Sequence, residues 1–224
     1  MTDAHCHAVA GESRHFLCAA EAGDLVRLEG AASTDLVFAG VHPWHAETLD
    51  SVRLREALVA HPRWGVGEIG LDRLKTRDVT ETMRRAFLVQ LALAAELRRP
   101  VALHGAKCWG EVVRACETFV GLIPAFVFHG FSRSDGLLPD IWRLGGYVSV
   151  GPAILNDHAV NYRAMVKKIP TDRILVESDR TAETAAETPS VADVAAKLAE
   201  IRGVGATELI AALERNADRI LASF

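Results

Sequence analysis

Residues 65–72 read GVGEIGLD and residues 101–105 read VALHG. Each starts as a short apolar run and ends on residues that bear chemistry. Between them lies Val79–Leu97, where Val79, Met83, Ala86, Phe87, Leu93, Ala94 and Leu97 form one apolar stripe at helical spacing. A strand, an amphipathic helix and a second strand make a crossover unit, which pairs its strands in parallel. Gln90 falls inside the stripe. A buried amide there is expected to be bonded to backbone or water.

The alternation continues in both directions. Strands are expected at Asp3–His7, His15–Ala19, Leu36–Val41, Gly65–Ile69, Val101–His104, Phe126–His129, Tyr147–Val150 and Ile174–Glu177. Helical segments are expected at Ser51–Ala60, Val79–Leu97, Glu111–Phe119, Asp135–Leu144, His158–Lys168, Val191–Ile201 and Glu208–Leu221. Ser190 can cap the helix that starts at Val191, and Gly203 sits just past its end. The first crossovers are too short for full helices. Eight strands alternating with helices predict an α/β fold, a (β/α)8 TIM-type barrel, as one domain over residues 1–224. An open doubly wound sheet is the alternative.

The 224 residues are 50% hydrophobic and 24% charged, with a net charge of −4. This is ordinary globular composition, and the chain is long enough to bury a sizeable core. No long basic run signals a general electrostatic grip on nucleic acid, though a local basic patch is compatible with the balance. Cys6, Cys18, Cys108 and Cys116 form no CxxC pair. With no signal-like N-terminus, reduced thiols and a cytoplasmic location are expected. No apolar run is long enough to span a membrane, and no obligate protein partner is implied.

Potential metal ligands stand at the strand ends: His5 and His7, Glu68, His104, His129 and Asp179. Barrel sites form where such ends converge. Side chains alternate along a strand, so Asp3, His5 and His7 should share one face, and Ala4 and Cys6 the other. That turns both imidazoles into the lumen and Cys6, as a small apolar residue, toward the helices. Burying these His and Glu side chains is costly unless a shared cation compensates. The mixed set suits Zn²⁺, Mn²⁺ or Fe²⁺ better than Mg²⁺, and two ions bridged by a carboxylate suit six ligands better than one.

The motifs DAHCH, GVHPWH, GEIGLD, VALH, HGFS and ESD resemble, in order and spacing, the TatD-type metal-dependent hydrolases, barrel enzymes of the amidohydrolase superfamily. The resemblance runs from Asp3 to Asp179 and continues more weakly to RNADRIL near the C-terminus. It implies that His5, His7 and Asp179 hold a first metal, that Glu68 bridges, and that His104 and His129 hold a second. It further implies two divalent ions (Zn, Mn or Mg), with Asp179 and Glu68 as catalytic carboxylates and His42 touching the substrate phosphate. Family members are typically phosphodiesterases, often deoxyribonucleases that trim single strands from the 3′ end. The chain departs from the family pattern where HGAKCWG replaces the usual Ser-Arg, where Gly130 replaces a cysteine, and where Arg180, Thr181 and Ala182 replace alanine-proline-tyrosine.

Around these ligands, Lys107, Arg133 and Arg180 follow ligand residues closely and could hold phosphate. Trp44 and Trp109 could stack a base or pack their loops. Asp3 could hold a ligand histidine or serve as a polar strand start. His45 reads as surface; His15, His61 and His158 read as structural. The expected activity is divalent-metal-dependent hydrolysis of single-stranded DNA or another phosphodiester. A hydrolase of a small amide, ester or lactone and a non-catalytic metal-binding protein are the alternatives, since a barrel does not fix its chemistry.

Overall fold

The computed structural model describes residues 1–9, 14–19, 24–31, 35–132 and 135–224. Its strands are β1 (Thr2–Cys6), β2 (Arg14–Cys18), β3 (Leu36–Ala39), β4 (Gly65–Asp72), β5 (Val101–Ala106), β6 (Phe126–Phe128), β7 (Tyr147–Val150) and β8 (Ile174–Val176). They form one eight-stranded sheet in chain order, and every adjacent pair is parallel. The helices are α1 (Asp24–Leu28), α2 (Ser51–Ala60), α3 (Glu81–Glu96), α4 (Trp109–Glu117), α5 (Leu138–Arg143), α6 (Val160–Val166), α7 (Val191–Arg202) and α8 (Ala206–Leu221). The sheet curls into a nearly closed barrel, as the alternation predicts.

The seam between β8 and β1 is bridged just above β8. Asp179 N–H donates to the His5 carbonyl at 3.0 Å, and His7 N–H to the Arg180 carbonyl at 2.7 Å. The buried Asp3 carboxylate accepts from Ser178 N–H at 2.9 Å and from Ser178 Oγ–H at 2.6 Å. Asp3 therefore ties the two edge strands together, and its Oδ1 also accepts from the His5 N–H at 3.4 Å.

Strand alternation sorts the core into two layers. Phe16, Leu36, Phe38, Ala102, Val127 and Leu175 form an inner cluster, which Ala217 and Ile220 of α8 join. Leu17, Val37, Val101, Leu103, Phe126, Phe128, Ile174 and Val176 face the helices. The inner layer is tight. A Cβ at Gly67 would lie 2.7 Å from the Ala102 Cβ, so only glycine fits there. Asn216 of α8 is buried and donates to the carbonyls of Thr171 and Ile174, which anchors this helix beside β8.

Three expectations need correction. Ala4 and Cys6 do not share a layer: Ala4 lies in the inner cluster and Cys6 in the outer one. The β1–β2 register shifts between Asp3 and Cys6, and the extra residue breaks the period of two. The strand at Leu36 stops at Ala39, because Val41 turns to pair with Gln90. The segment at Asp135 opens as a 3₁₀ turn, Asp135–Leu137, and becomes α-helical only at Leu138, with Pro139 in the first helical turn.

Gln90 is buried and fully bonded. Its Oε1 accepts from Val41 N–H at 2.7 Å, and its Nε2 donates to the carbonyls of Val41 and Ala86 at 3.1 and 3.2 Å. It fixes the chain one residue before His42. Gln90→Leu leaves the Val41 N–H and carbonyl unpaired in a buried place, a loss of roughly 1–3 kcal/mol. A lowered urea midpoint would report this; an unchanged midpoint would mean the loop holds itself.

Candidate metal and active site

The inner face becomes polar toward the C-terminal ends of the strands. Two residues above Ala102 stands His104, above Val127 stands His129, and above Leu175 stands Glu177. A register shift in β4 between Val66 and Ile69 presents Glu68 to the same space. Its buried carboxylate is the hub. Glu68 Oε2 lies 3.2 Å from both His5 Nε2 and His7 Nε2. Glu68 Oε1 lies 2.7 Å from His104 Nδ1, 2.9 Å from His129 Nε2 and 3.6 Å from His42 Nε2. Asp179 is half-exposed, and its Oδ1 stands 3.8 and 3.9 Å from the Nε2 atoms of His5 and His7.

The far nitrogen of each imidazole sets its tautomer. His7 Nδ1 faces the Cys18 carbonyl at 3.1 Å. A carbonyl only accepts, so Nδ1 carries a proton and Nε2 is the nitrogen turned toward Glu68. His104 Nε2 lies 3.0 Å from Asp72 Oδ2, and His129 Nδ1 lies 3.4 Å from Glu177 Oε1. Without metal, His104 Nδ1 and His129 Nε2 carry protons toward Glu68; a bound cation would displace them, with Asp72 placed to keep the other His104 proton on Nε2. His5 Nδ1 meets the Cys18 thiol at 3.4 Å.

His42 has the opposite polarity. Its Nδ1 accepts from Trp44 N–H at 3.1 Å, so its neutral ring carries the proton on Nε2. That makes it a donor facing the site rather than a lone-pair ligand, although its ring nitrogen lies close enough to Glu68 and His104 to form a potential ligand cluster.

The electrostatics follow from burial and crowding. Burial pulls His5 down to about 4, with His129 adding to the effect. Burial also pulls His42 down to about 3. Glu68 resists its own burial: His129, His5 and hydrogen bonds from the imidazoles hold it well below the usual carboxylate range. For His129, burial opposes protonation, but Glu68 and Glu177 outweigh it and raise its pKa well above the ordinary value. Burial pushes Glu177 up to about 7. Gly130 N–H and Ser149 Oγ–H both donate to its carboxylate.

The donor set fits divalent metal. His5, His7 and Glu68 form one cluster, His5, His129 and Asp179 a second, and His42, Glu68 and His104 a third; within each, ligand atoms lie within 4.8 Å of one another. Imidazole nitrogens that converge on a charged carboxylate, with a half-exposed Asp179 beside them, compose such a site.

The remaining expectations separate. Lys107 is exposed and lines a cavity of about 770 Å³ with His104, His129 and Asp179. Arg133 lies outside the described residues. The Arg180 guanidinium bonds the Thr188 carbonyl at 2.9 Å and is engaged by its own loop. Trp109 is buried against Phe128 and Phe131 and packs onto Gly105, so it is no exposed platform. Trp44 is 44% exposed, donates from Nε1 to Asp72 Oδ2 at 2.8 Å, and lies under Lys75 Nζ at 4.0 Å. His45, expected at the surface, is half-buried and lines a second cavity of about 830 Å³ with His7, His42, Trp44 and Glu68. His15 pairs with Asp35 and His61 stacks on Trp64. His158 is exposed and lines a separate cavity.

Three residues around the ligands went unsingled in the sequence: Asp72, Glu177 and Cys18. Asp72 and Glu177 stand at even spacing from Glu68 and Asp179, and that spacing was an available signal.

Among the described residues, no helix is long and apolar enough to cross a membrane. A parallel eight-stranded barrel with imidazoles and carboxylates gathered at its C-terminal mouth defines a metal-centre barrel protein. The family model "TatD related DNase" matches residues 19–222, and the chain belongs to that family.

The "3'-5' ssDNA/RNA exonuclease TatD" of Musicola paradisiaca (strain Ech703) is 31% identical over 172 residues, 75% of this chain and 62% of that protein. The protein of that name from Pectobacterium parmentieri (strain WPP163) is 30% identical over 201 residues, 81% of this chain and 76% of its own length. The chain thus spans less than two thirds of the Musicola protein. Among solved structures, the TatD homologue YJJV from Escherichia coli K12 superposes with a TM-score of 0.83 at 25% identity, covering 98% of this chain and 96% of that one. A TatD family hydrolase from Entamoeba histolytica shares the fold at a TM-score of 0.72 and 15% identity, over 92% of this chain and 84% of its own.

Proposed function

We propose that the chain is a divalent-metal-dependent phosphodiesterase that removes nucleotides from the 3′ end of single-stranded nucleic acid. One observation carries the reading: a buried, charged Glu68 surrounded by imidazole nitrogens, with Asp179 half-exposed above it. The names of the exonuclease relatives support the choice of substrate.

In this reading His5, His7 and Asp179 would hold one ion and His104 and His129 a second, with Glu68 shared between the two sets. The His-rich donors favour Zn²⁺ or Mn²⁺ over Mg²⁺. Bound ions supply water acidified toward neutrality and electrophilic pull on the phosphoryl oxygen. Asp179 Oδ accepts the proton of the attacking water, since it is the one carboxylate of the cluster open to solvent. His42 Nε2–H donates to a nonbridging phosphate oxygen and stays neutral while doing so. Asp72 and Cys18 meet the outer nitrogens of His104 and His5, and Glu177 stands beside His129. The location proposed is the cytoplasm.

The test is cleavage of end-labelled single-stranded DNA with Mg²⁺, Mn²⁺ or Zn²⁺, and in EDTA. A ladder shortening from the 3′ end, lost in EDTA and in Asp179→Ala, is expected. No cleavage by protein that has bound metal would overturn the reading and leave the hydrolysis of a small amide, ester or lactone in its place.

A further inference from the structure

Two cavities leave the Glu68 cluster, and their charges differ. The first, about 770 Å³, carries Arg73, Lys107 and Arg114 on its wall against a single acid beyond the cluster itself, Glu111. Glu111 is already held by two arginines: Arg73 bonds its Oε1 and Arg84 its Oε2, the latter at 3.2 Å. Lys107 and Arg114 are exposed and form no ion pair among the described residues. The second cavity, about 830 Å³, is lined by Trp44, His42 and His45, with Asp24 and Glu183 against Arg27 and with Lys75 Nζ over the Trp44 ring at 4.0 Å. Arg27 is committed to Asp24 at 3.2 Å and to the His7 carbonyl at 2.9 Å. His104, His129 and Asp179 border both cavities, so a phosphodiester bound at the cluster has one side in each.

The two sides of a 3′-terminal cleavage point make unequal demands. The body of the strand carries many phosphates and needs free cations. The departing residue is a single nucleoside end, which needs an aromatic or apolar surface and little positive charge. On this basis we propose that the strand body, 5′ of the scissile phosphate, runs along the wall that carries Lys107 and Arg114, and that the terminal nucleoside sits in the Trp44 cavity. The assignment rests on the nuclease reading above and adds a direction to it. It also assigns Arg114, which no motif had marked, as a phosphate contact.

The experiment is equilibrium binding in EDTA, read by fluorescence anisotropy, of a labelled trinucleotide and a labelled dodecanucleotide of single-stranded DNA. Wild type, the Lys107→Gln/Arg114→Gln double variant and Trp44→Ala are compared over a salt series. Neither cation is buried, so the double variant retains the fold. The double variant is expected to lose about tenfold more affinity for the dodecamer than for the trinucleotide, and its salt slope for the dodecamer should fall by about 1.4, the value for two phosphate contacts on a single strand. Trp44→Ala should weaken both oligonucleotides by the same factor. Equal losses at both lengths in the double variant, or an unchanged salt slope, overturn the strand direction while wild-type cleavage still supports the nuclease reading. Wild-type protein that neither binds nor cleaves single-stranded DNA overturns both.

Discussion

Glu68→Gln is expected to reduce turnover of a single-stranded oligonucleotide by about a thousandfold or more, and to leave the purified protein short of metal. The amide has the size and shape of the carboxylate, so the barrel keeps its packing. It lacks the charge, and that charge is what four imidazole nitrogens within 3.2 Å of the carboxylate share. The replacement also puts an NH₂ donor where an acceptor stood. Metal-assisted stabilisation of charge in the transition state is worth several kcal/mol, and each 1.36 kcal/mol is a factor of ten. Metal content after dialysis, measured by mass spectrometry, separates loss of the ions from loss of chemistry alone. A variant that keeps its metal and works within tenfold of the wild type would show that Glu68 is a structural acid.

The barrel was legible because its inner face obeys the period of two. Val127 and His129, Leu175 and Glu177, and Ala102 and His104 are each one step apart on the same face. The strand pattern and the ligand pattern are therefore the same observation. Gln90 was legible for a related reason: a polar residue in an apolar stripe must find backbone, and the unpaired groups of Val41 were the ones within reach. What did not show in the sequence depends on neighbours across strands. Ala4 went to the inner layer because one extra residue enters β1, and nothing in DAHCH marks it. Trp109 stands where a rim residue would, but the missing side chain at Gly105 lets its ring sink between Phe128 and Phe131. Arg180 follows a ligand directly, yet its guanidinium is drawn to the Thr188 carbonyl. Asp72 and Cys18 meet the outer nitrogens of His104 and His5, and Glu177 stands beside His129, contacts that exist only once β2, β4 and the end of β8 lie next to those rings.

Asp3→Ala tests the closure of the barrel, and with it the tie between fold and site. Asp3 is 6% exposed, and its carboxylate takes both the N–H and the hydroxyl of Ser178 across the seam. Alanine removes the acceptor and leaves two donors facing a buried gap, each costing about 1–3 kcal/mol. A combined loss of about 3 kcal/mol would lower Tm by roughly 6–12 °C in a chain of this length. Function should fall with it, because the seam carries proposed ligands on both sides: His5 follows Asp3 by two residues, and Asp179 follows Ser178 directly and donates its N–H to the His5 carbonyl. Glu68→Gln and Asp3→Ala should therefore fail in opposite order. The first loses metal and activity while its urea midpoint stays near that of metal-free wild type. The second loses midpoint first and activity in proportion to the strands that part. If Asp3→Ala melts within a degree or two of the wild type, backbone bonds alone hold β8 to β1, and the polar start of β1 has another purpose.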